Sequence, residues 1–315
     1  MFSSSDYLIL PVIAIAAVAL DFALGEPRRY HPLVGFGYLA NKLEAAFNPK
    51  DKQDNSFQRV VGLFALILLL APFVLLAYWL CQNLIIFFVA NSLLLYFAIG
   101  HKSLHEHARA VSSALNNNDL DLAKNNASYM VSRDSSAIEP ISATIESVLE
   151  NGNDAVFGAL FWFFIAGGAG ALLFRLANTM DAMWGYKTKR FYYFGWAAAR
   201  FDDTLNYLPA RLTAITYALL GHTKLAFMCW NTQSANWDSP NAGPVMSAGA
   251  GALNVKLGGP ARYFGEWHER PALGAGSPPV FADIERALGL VRHGVYTWLA
   301  LYLIIVSLLV IVTHA

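Results

Sequence analysis

The sequence predicts an all-α integral membrane protein, a polytopic helical bundle that also carries cytoplasmic helical segments and Gly/Pro-rich loops. Hydrophobic residues make up 56% of the chain and charged residues only 14%, whereas soluble domains average about 25% charged residues. No charged residue occurs between Arg59 and Lys102, and that run is long enough for two bilayer crossings of about 20 helical residues each. Much of the protein surface must therefore face lipid.

Four segments are predicted to cross the bilayer. Asp21 interrupts the first of them, and Gln82 with Asn83 marks a tight turn between the second and the third. No charged residue interrupts the fourth. In chain order, the predicted spans are residues 7–24, 60–81, 84–100 and 295–312.

Two further apolar segments, 155–174 and 205–230, are predicted to be broken, tilted or re-entrant helices. The first is uncharged but contains the run Gly167-Gly168-Ala169-Gly170. The second carries Arg211, His222 and Lys224, and such side chains are costly at the centre of a bilayer. Irregular backbone is tolerated at membrane depth where it is packed inside protein.

The remaining segments are predicted to be cytoplasmic and to form, with the spans, one membrane-embedded domain over residues 1–315. The first loop holds six Lys or Arg residues, and an excess of these residues marks the cytoplasmic side. The last loop is rich in Gly and Pro, and a long irregular loop that also carries aromatic residues and arginines is typical of a lid or a binding loop. The predicted cytoplasmic loops are residues 25–59, 101–154, 178–204 and 231–294.

Composition excludes several other classes. The formal net charge is zero, which leaves no electrostatic argument for a nucleic-acid partner. Cys81 and Cys229 lie in apolar stretches, so a disulfide framework is not expected. Asp6 and the absence of a basic amino-terminal region argue against a cleaved signal peptide.

A first polar cluster is predicted around one helix. Glu146 and Glu150 are four residues apart and share a helix face, where two carboxylates repel unless a cation or a proton lies between them. With Asp154 they could hold Mg²⁺ together with nucleotide phosphates, and Arg133 with Asp134 would extend the cluster. The alternative is a solvated helix face.

Two more clusters mix arginine and lysine with acids, a combination that suits phosphate and metal together. The alternative for both is surface salt bridging around a helix end. Arg211 differs because it lies in an apolar segment and needs a partner or a ligand. The second cluster comprises Asp181, Lys187 and Arg190, and the third comprises Arg200, Asp202, Asp203, Asn206 and Arg211.

The segment Asp21–Gly37 places polar and turn-forming residues directly after an apolar span. Pro27 and Pro32 restrict the backbone, and between them lie Glu26, Arg28 and His31. We expect these three side chains to belong to a site at the membrane surface.

Two other features invite functional interpretations that the spacing does not support. Of His101, His105 and His107, the first two share a helix face and suggest zinc, but no third ligand follows at a motif spacing and His105-Glu-His107 is not the metalloprotease pattern. Histidines at the membrane surface are therefore the preferred interpretation. The Gly-rich runs at 167–170 and 247–251 lack the Lys-Ser/Thr of a phosphate-binding loop, and close helix packing explains them.

Taken in order, these segments resemble the adenosylcobinamide-phosphate synthases, the CobD/CbiB family of cobalamin-biosynthesis membrane proteins. The resemblance runs over nearly the whole chain and depends on many separate motifs. They are Leu24-Gly-Glu-Pro-Arg-Arg-Tyr-His-Pro-Leu-Val-Gly35, Arg133-Asp134, Ile145-Glu-Ser-Val148 with Glu150 and Asp154, Asn178-Thr-Met-Asp181, Ala198-Ala-Arg200 with Asp202-Asp203, Pro209-Ala-Arg-Leu-Thr213, Ser239-Pro-Asn241 and Leu257-Gly-Gly259.

The resemblance implies a reaction and its participants. Members of this family join adenosylcobyric acid to aminopropanol or ethanolamine, or to the phosphate of either, giving adenosylcobinamide or its phosphate. The resemblance further implies that ATP with Mg²⁺ activates the propionate carboxyl of adenosylcobyric acid. It also implies a multi-pass protein of the bacterial inner membrane with its active-site loops in the cytoplasm, in contact with membrane lipid and with other late corrinoid-assembly enzymes as further partners.

The resemblance also assigns site residues. The acids are expected to act as catalytic groups, with Glu146, Asp202 and Asp203 as Mg²⁺ ligands, and the segments are expected to meet in one pocket. A corrinoid transporter and a non-catalytic sensory membrane protein remain the alternatives. The expected catalytic residues are Glu146, Glu150, Asp154, Asp202 and Asp203, and the expected substrate- or nucleotide-binding residues are Glu26, Arg28, His31, Arg133, Asp134, Asp181, Lys187, Arg190, Arg200, Asn206, Arg211, Ser239 and Asn241.

Overall fold

A computed structural model describes residues 8–27, 32–48, 55–83, 85–263 and 265–314, with backbone alone at 55 and 314. The sequence predicts one domain, whereas the described residues group into two compact units. The first unit comprises Met1–Gly100, Gly158–Asn206 and Leu301–Ala315, and the second comprises His101–Phe157 and Tyr207–Ala300.

The described residues are mainly α-helical. In chain order the helices are α1 (Ile9–Leu24), α2 (Pro32–Phe47), α3 (Asn55–Gln82), α4 (Phe87–Ala98), α5 (His101–Asn116), α6 (Leu120–Ser128), α7 (Pro140–Asn151), α8 (Gly158–Trp184), α9 (Trp196–Leu220), α10 (Thr223–Gln233), α11 (Ala242–Leu253) and α12 (Ala282–His314). Short strands β1 (Lys256–Gly258) and β4 (Ala272–Gly274) pair antiparallel, as do β2 (Ala261–Tyr263) and β3 (Glu266–His268).

The prediction of an all-α membrane protein is confirmed. Four helical stretches in the described part of the chain are long and apolar enough to cross a bilayer, and α1 is a shorter apolar helix. Because the hydrocarbon core takes about 20 helical residues, each of the four satisfies the length requirement. They are Ser56–Gln82, Phe87–Asn116, Pro140–Trp184 and Ala282–Thr313.

Helix α8 is interrupted inside its Gly-rich run. Gly167 has φ 64° and ψ −156°, a combination that only glycine adopts without strain. The interruption frees backbone groups that a helix would pair. Asn91 of α4 compensates, since its Oδ1 accepts a hydrogen bond from the N–H of Gly168 at 2.8 Å while its Nδ2 donates to the carbonyl of Phe87 at 2.9 Å. A buried amide therefore stabilises the break.

Gly167→Ala should destabilise the first unit by about 1–3 kcal/mol, because a residue with a Cβ is strained in this conformation and the new methyl group would lie 2.7 Å from Oδ1 of Asn91. Gly35→Ala in α2 is the control, since a Cβ there meets no atom within 4 Å. Thermal unfolding of both variants in detergent measures the difference. Equal unfolding midpoints for the two variants would contradict the claim that a residue with a Cβ is strained at the break.

The core of the first unit lies where α2, α3, α8 and the start of α9 pack together. Its buried side chains include Phe36, Leu66, Met180, Trp184 and Phe194. The rings of Trp184 and Phe194 are 4.9 Å apart and nearly edge-to-face. This packing holds the segment between α8 and α9, which carries several of the predicted site residues.

Helix α11 is the centre of the second unit, and every one of its residues is buried. It consists mostly of Ala, Gly and other small residues, which allow close packing. A Cβ at Gly251 would lie 2.8 Å from the backbone of Ala226 in α10, and a Cβ at Gly249 would meet the side chain of Leu149 in α7. The Gly-rich run 247–251 is therefore a packing surface.

Several predicted boundaries differ from the structure. The segment 231–294 is not an irregular loop, since it contains α11, four short strands and the first turns of α12. Loop 25–59 contains α2 and the start of α3. Segment 178–204 is largely helical, because α8 continues to Trp184 and α9 begins at Trp196. Segment 205–230 is divided between α9 and α10.

Candidate functional site

In the second unit, Glu146 is the centre of an ionic cluster. It lies on α7, which begins at Pro140 and is capped by the carboxylate of Glu139. The Glu146 side chain is only 2% exposed and forms ion pairs with Arg133 and Arg270, whose side chains are 12% and 13% exposed. The hydroxyl of Ser142 lies 3.4 Å from Glu146 Oε1. One buried carboxylate therefore holds two arginines.

Arg270 is a site residue that the sequence analysis missed. Its Nη1 donates to Glu146 Oε2 at 2.9 Å and its Nε donates to the carbonyl of Gly259 at 3.0 Å. The guanidinium also lies 5.4 Å from the ring centre of Trp237, within cation–π range. Gly258 N–H donates to Glu146 Oε1 at 3.0 Å. The only sequence signal was an arginine in a Gly/Pro-rich loop.

These contacts assign Glu146 a role different from the predicted Mg²⁺ ligand. Its two oxygens already accept hydrogen bonds from two guanidinium groups and one backbone N–H. The two guanidinium groups and the N–H group occupy the lone pairs of the carboxylate that a metal ion would need. Burial lowers the pKa of Arg133, but the Glu146 carboxylate raises it above its ordinary value. Glu146 is a fixed anchor for the strand segment 256–274.

Glu150 and Asp154 lie beside this anchor. Asp154 is the strongest charged neighbour of Glu150, followed by Glu146, Arg133 and Arg270. Within the described residues the side chain of Glu150 forms no hydrogen bond or ion pair, although its backbone carbonyl accepts a hydrogen bond from Gly152 N–H. Two adjacent carboxylates favour a shared proton or a bound cation, so this pair has the chemistry that the sequence predicted for Glu146.

A short π-helix, Gly152–Phe157, shapes this pair. Such π-turns are frequent at functional sites. Buried Asn153 donates to Asp154 Oδ1 at 2.8 Å and accepts a hydrogen bond from Thr213 of α9 at 2.9 Å. The hydroxyl of Tyr217 donates to the carbonyl of Leu149 at 3.1 Å. Helix α9 therefore holds the turn that carries Asp154.

Asp134 links the same region to the β2–β3 hairpin. Its Oδ2 accepts a hydrogen bond from Gly265 N–H at 2.9 Å and lies 3.4 Å from Nε of Arg262. Its own N–H donates to the carbonyl of Arg262 at 3.0 Å. Asp134 is therefore a positioning residue for the hairpin.

Arg211, Ser239 and Asn241 form a separate group in the second unit. Arg211 donates to Asn241 Oδ1 at 2.6 Å and to the carbonyl of Pro240 at 2.8 Å, and it stacks 3.6 Å from the ring centre of Tyr207. Ser239 Oγ accepts a hydrogen bond from Ala242 N–H at 3.1 Å, at the first residue of α11. Arg211 has the partner that its apolar segment required.

The other predicted acids lie in the first unit. Asp202 is buried, and Asp203 forms an ion pair with Arg200 at 3.5 Å. Burial raises the pKa of Asp203, and the charges of Arg200 and Lys187 oppose that change. Asn206 is also buried. The structure therefore brings Lys187, Arg200 and Asp203 into one electrostatic group.

Two more predicted residues of the first unit lie near the ends of helices. Asp181 is in the last turn of α8, and its carbonyl accepts a hydrogen bond from Gly185 N–H at 2.7 Å. Glu26 follows α1 and forms an ion pair with Arg175 of α8 at 3.8 Å. Arg28 and His31 lie outside the described residues.

Arg190 is predicted from the sequence to bind substrate or nucleotide, but in the structure its guanidinium pairs with a carboxylate of the protein. Its Nε donates to Oε1 of Glu44 at 2.8 Å and its Nη2 to Oε2. Glu44 is buried and also accepts a hydrogen bond from Asn48 at 2.8 Å. A two-point arginine–carboxylate pair of this kind fixes geometry, so Arg190 connects α2 to the segment after α8.

Arg190→Ala should lower the thermal stability of the protein, because the buried carboxylate of Glu44 would lose its two-point partner. Lys189→Ala, at the neighbouring exposed position, is the matched control and should change the unfolding midpoint little. Unfolding of both variants in detergent tests this. An unchanged unfolding midpoint for Arg190→Ala together with weaker substrate binding would instead support the predicted role of Arg190 in substrate binding.

The histidines do not form a metal site in the described part of the chain, where no group of three or more His, Cys, Asp or Glu residues could hold a metal ion. His101 and His105 are buried with ring centres 4.7 Å apart. His107 bonds within its own helix to the carbonyl of Ser103 at 2.8 Å. Both of the buried rings pack inside the second unit.

Known proteins resemble this chain over most of its length. A family model described as CobD/Cbib protein matches residues 14–291. A relative named cobalamin biosynthesis protein CobD, from Chromobacterium violaceum, is 54% identical over 301 residues, covering 94% of this chain and 95% of the relative. Relatives with the same name from Stutzerimonas stutzeri and Mycobacterium tuberculosis are 54% and 37% identical, covering 92% and 87% of this chain and 95% and 88% of their own length. No solved structure matches the chain.

Proposed function

Because the chain belongs to the CobD/Cbib protein family, we propose that it acts in cobalamin biosynthesis as an ATP-dependent acid–amine ligase. The substrates would be the propionate carboxyl of adenosylcobyric acid and the amine of aminopropanol or ethanolamine, or of the phosphate of either. The product would be adenosylcobinamide or its phosphate.

The observation that supports this proposal is the Glu150–Asp154 pair beside the Glu146–Arg133–Arg270 cluster. Two arginines share one carboxylate, so the cluster carries an excess of positive charge next to two acids. Phosphoryl transfer needs cations for the phosphate oxygens and acids for Mg²⁺. Both kinds of group are present within one unit.

Mg²⁺ fits Asp154 better than Glu146. Mg²⁺ is usually bound by one or two carboxylates together with phosphate oxygens and water, so Asp154 could hold the ion while the side chain of Glu150, which has no hydrogen-bonded partner among the described residues, stays available as a base. When bound, the ion would neutralise charge that develops on the transferred phosphoryl group. Asp202 and Asp203 of the first unit remain predicted Mg²⁺ ligands or catalytic groups.

The protein's own groups would then act on the two organic substrates. Near neutral pH the aminoalcohol is mostly protonated and cannot attack a carboxyl group, so a carboxylate such as Glu150 would accept the ammonium proton. Arg133 and Arg270 would orient an anionic group, because each guanidinium is fixed by Glu146. Closure of segment 256–274 over the site would exclude water, which would otherwise hydrolyse the activated carboxyl.

We further propose that the protein lies in the bacterial inner membrane with these groups on the cytoplasmic side, where ATP is available. The excess of Lys and Arg in loop 25–59 supports that orientation. Other late corrinoid-assembly enzymes are proposed partners, since the corrinoid product must be passed on.

The test is to express the chain in a host that lacks its own corrinoid-amidating enzyme and to supply adenosylcobyric acid with each aminoalcohol, with and without phosphate. Mass spectrometry should detect cobinamide or its phosphate, and purified protein should form it only with nucleotide and Mg²⁺. Corrinoid uptake into vesicles without any product would indicate a transporter. Nucleotide binding without product would indicate a sensory protein, and either result would overturn the ligase proposal.

A further inference from the structure

A cavity of about 480 Å³ lies beside the break in α8, within the first unit. We call it the helix-break cavity. Its volume is in the range of about 300–1,000 Å³ that is typical of ligand sites. Its walls come from α1, α3, α4 and α8, and they include Leu10, Val74, Cys81, Phe87 and Leu173.

The break itself creates the space. Gly167, Ala169 and Gly170 line the cavity and contribute little or no side-chain volume where a regular helix would carry larger groups. The positive φ of Gly167 turns the backbone away from the helix axis at this point. The opening is therefore a consequence of the same residues that interrupt α8.

The chemistry of the walls favours an uncharged, apolar ligand. Among the described residues no charged side chain lines the cavity, so an ion would lose its hydration without compensation. Asn91 also lines it, but both ends of its amide are already hydrogen bonded, to Gly168 and Phe87. The other polar groups of the lining are the hydroxyl of Tyr78 and the amide of Gln82, and both lie on the last turns of α3.

The position of the opening indicates where the ligand comes from. Leu75, Tyr78 and Ile165 line the cavity and are 66%, 57% and 65% exposed. They lie on helical stretches that are long and apolar enough to cross the bilayer, so the medium around them is hydrocarbon. Gln82, the last residue of α3, also lines the cavity, and Asn83 follows it, so two polar residues mark this end of α3.

We propose that the helix-break cavity binds one acyl chain of a bilayer phospholipid from the leaflet that contains the α3–α4 turn. The chain would lie against the walls of α3 and α8, and the headgroup would remain near Gln82 at the membrane surface. Bound lipid would stabilise the interrupted helix, because any ligand that binds only the folded state raises its stability. The proposal is independent of the ligase reaction.

The test uses the full-length protein in phosphatidylcholine nanodiscs that contain a trace of phosphatidylcholine with a diazirine on one acyl chain. After irradiation, peptide mapping should find cross-links concentrated in segments 74–82 and 165–173. Val74→Trp and Leu173→Trp fill the cavity from opposite walls, and each should lower these cross-links about tenfold because the bulky ring excludes the chain. Two independent variants guard against one that fails to fold.

Leu309→Trp is the matched control, since Leu309 lies on the exposed surface of α12 in the same unit. It should leave the cross-links at the cavity unchanged. In a second measurement, adding phosphatidylcholine to delipidated protein should raise the unfolding temperature of the unsubstituted protein more than that of Val74→Trp. Cross-links spread evenly over all apolar helix faces, or cross-links at the cavity that both tryptophan variants leave unchanged, would overturn the proposal.

Discussion

Replacement of Glu146 by Gln is expected to lower the free energy of unfolding by about 3–5 kcal/mol, the usual cost of removing one partner from a buried ion pair. Gln preserves the volume of the side chain but removes its charge. Arg133 and Arg270 are largely buried and both depend on this carboxylate. Two guanidinium groups would then lose the carboxylate that both of them contact.

The change should also loosen segment 256–274, because Glu146 holds it through Arg270 and through Gly258 N–H. Denaturant unfolding in mild detergent measures the stability, and limited proteolysis measures the exposure of the segment. Glu106→Gln is the control, since Glu106 is an exposed residue in a surface pair with Lys102 at 4.0 Å, and such pairs contribute about 0–1 kcal/mol. A loss for Glu146→Gln as small as that of Glu106→Gln would show that the cluster is not an anchor.

Glu150→Gln is expected to lower the rate of amide formation about 10²–10⁴-fold, the usual contribution of a group that transfers a proton. The folded state should lose little stability, since the side chain of Glu150 forms no hydrogen bond or ion pair within the described residues and lies beside the negative charge of Asp154. The contrast with Glu146 is the informative result. One variant should mainly affect folding, and the other should mainly affect the reaction.

The measurement is product formation by purified protein, followed by mass spectrometry at saturating nucleotide, with unfolding curves for the same preparations. Glu285→Gln provides a control, because Glu285 is half exposed and forms only a surface pair with Arg109 at 3.2 Å. It should retain full activity. Full activity in Glu150→Gln, with a folded protein, would remove Glu150 from the proposed mechanism.

Glu146 and Glu150 differ in a way that their spacing in the sequence could not reveal. Glu146 and Glu150 occupy one helix face and carry the same functional group, so the sequence predicts the same chemistry for both. Their partners differ because Arg270 is 124 residues away from Glu146 along the chain. Only folding brings that arginine to one carboxylate and leaves the other beside Asp154.

Helix α11 shows a second limit of prediction from the sequence pattern. Amphipathic periodicity reveals a helix that has one buried face, but α11 is buried on all sides. Its Gly and Ala residues look like an irregular loop when they are considered without their neighbours. The close contacts of Gly249 and Gly251 explain why small residues are required there.

The sequence by itself determined the membrane class, the break in the Gly-rich run of α8 and the family, because composition, chain length and local motifs are properties of contiguous residues. The tertiary structure alone decided which acids are neutralised. It made Glu146 an anchor, paired Arg190 with Glu44 and placed Asp154 beside Glu150. Burial and charge pairing depend on residues far apart in the chain, so no local pattern specifies them.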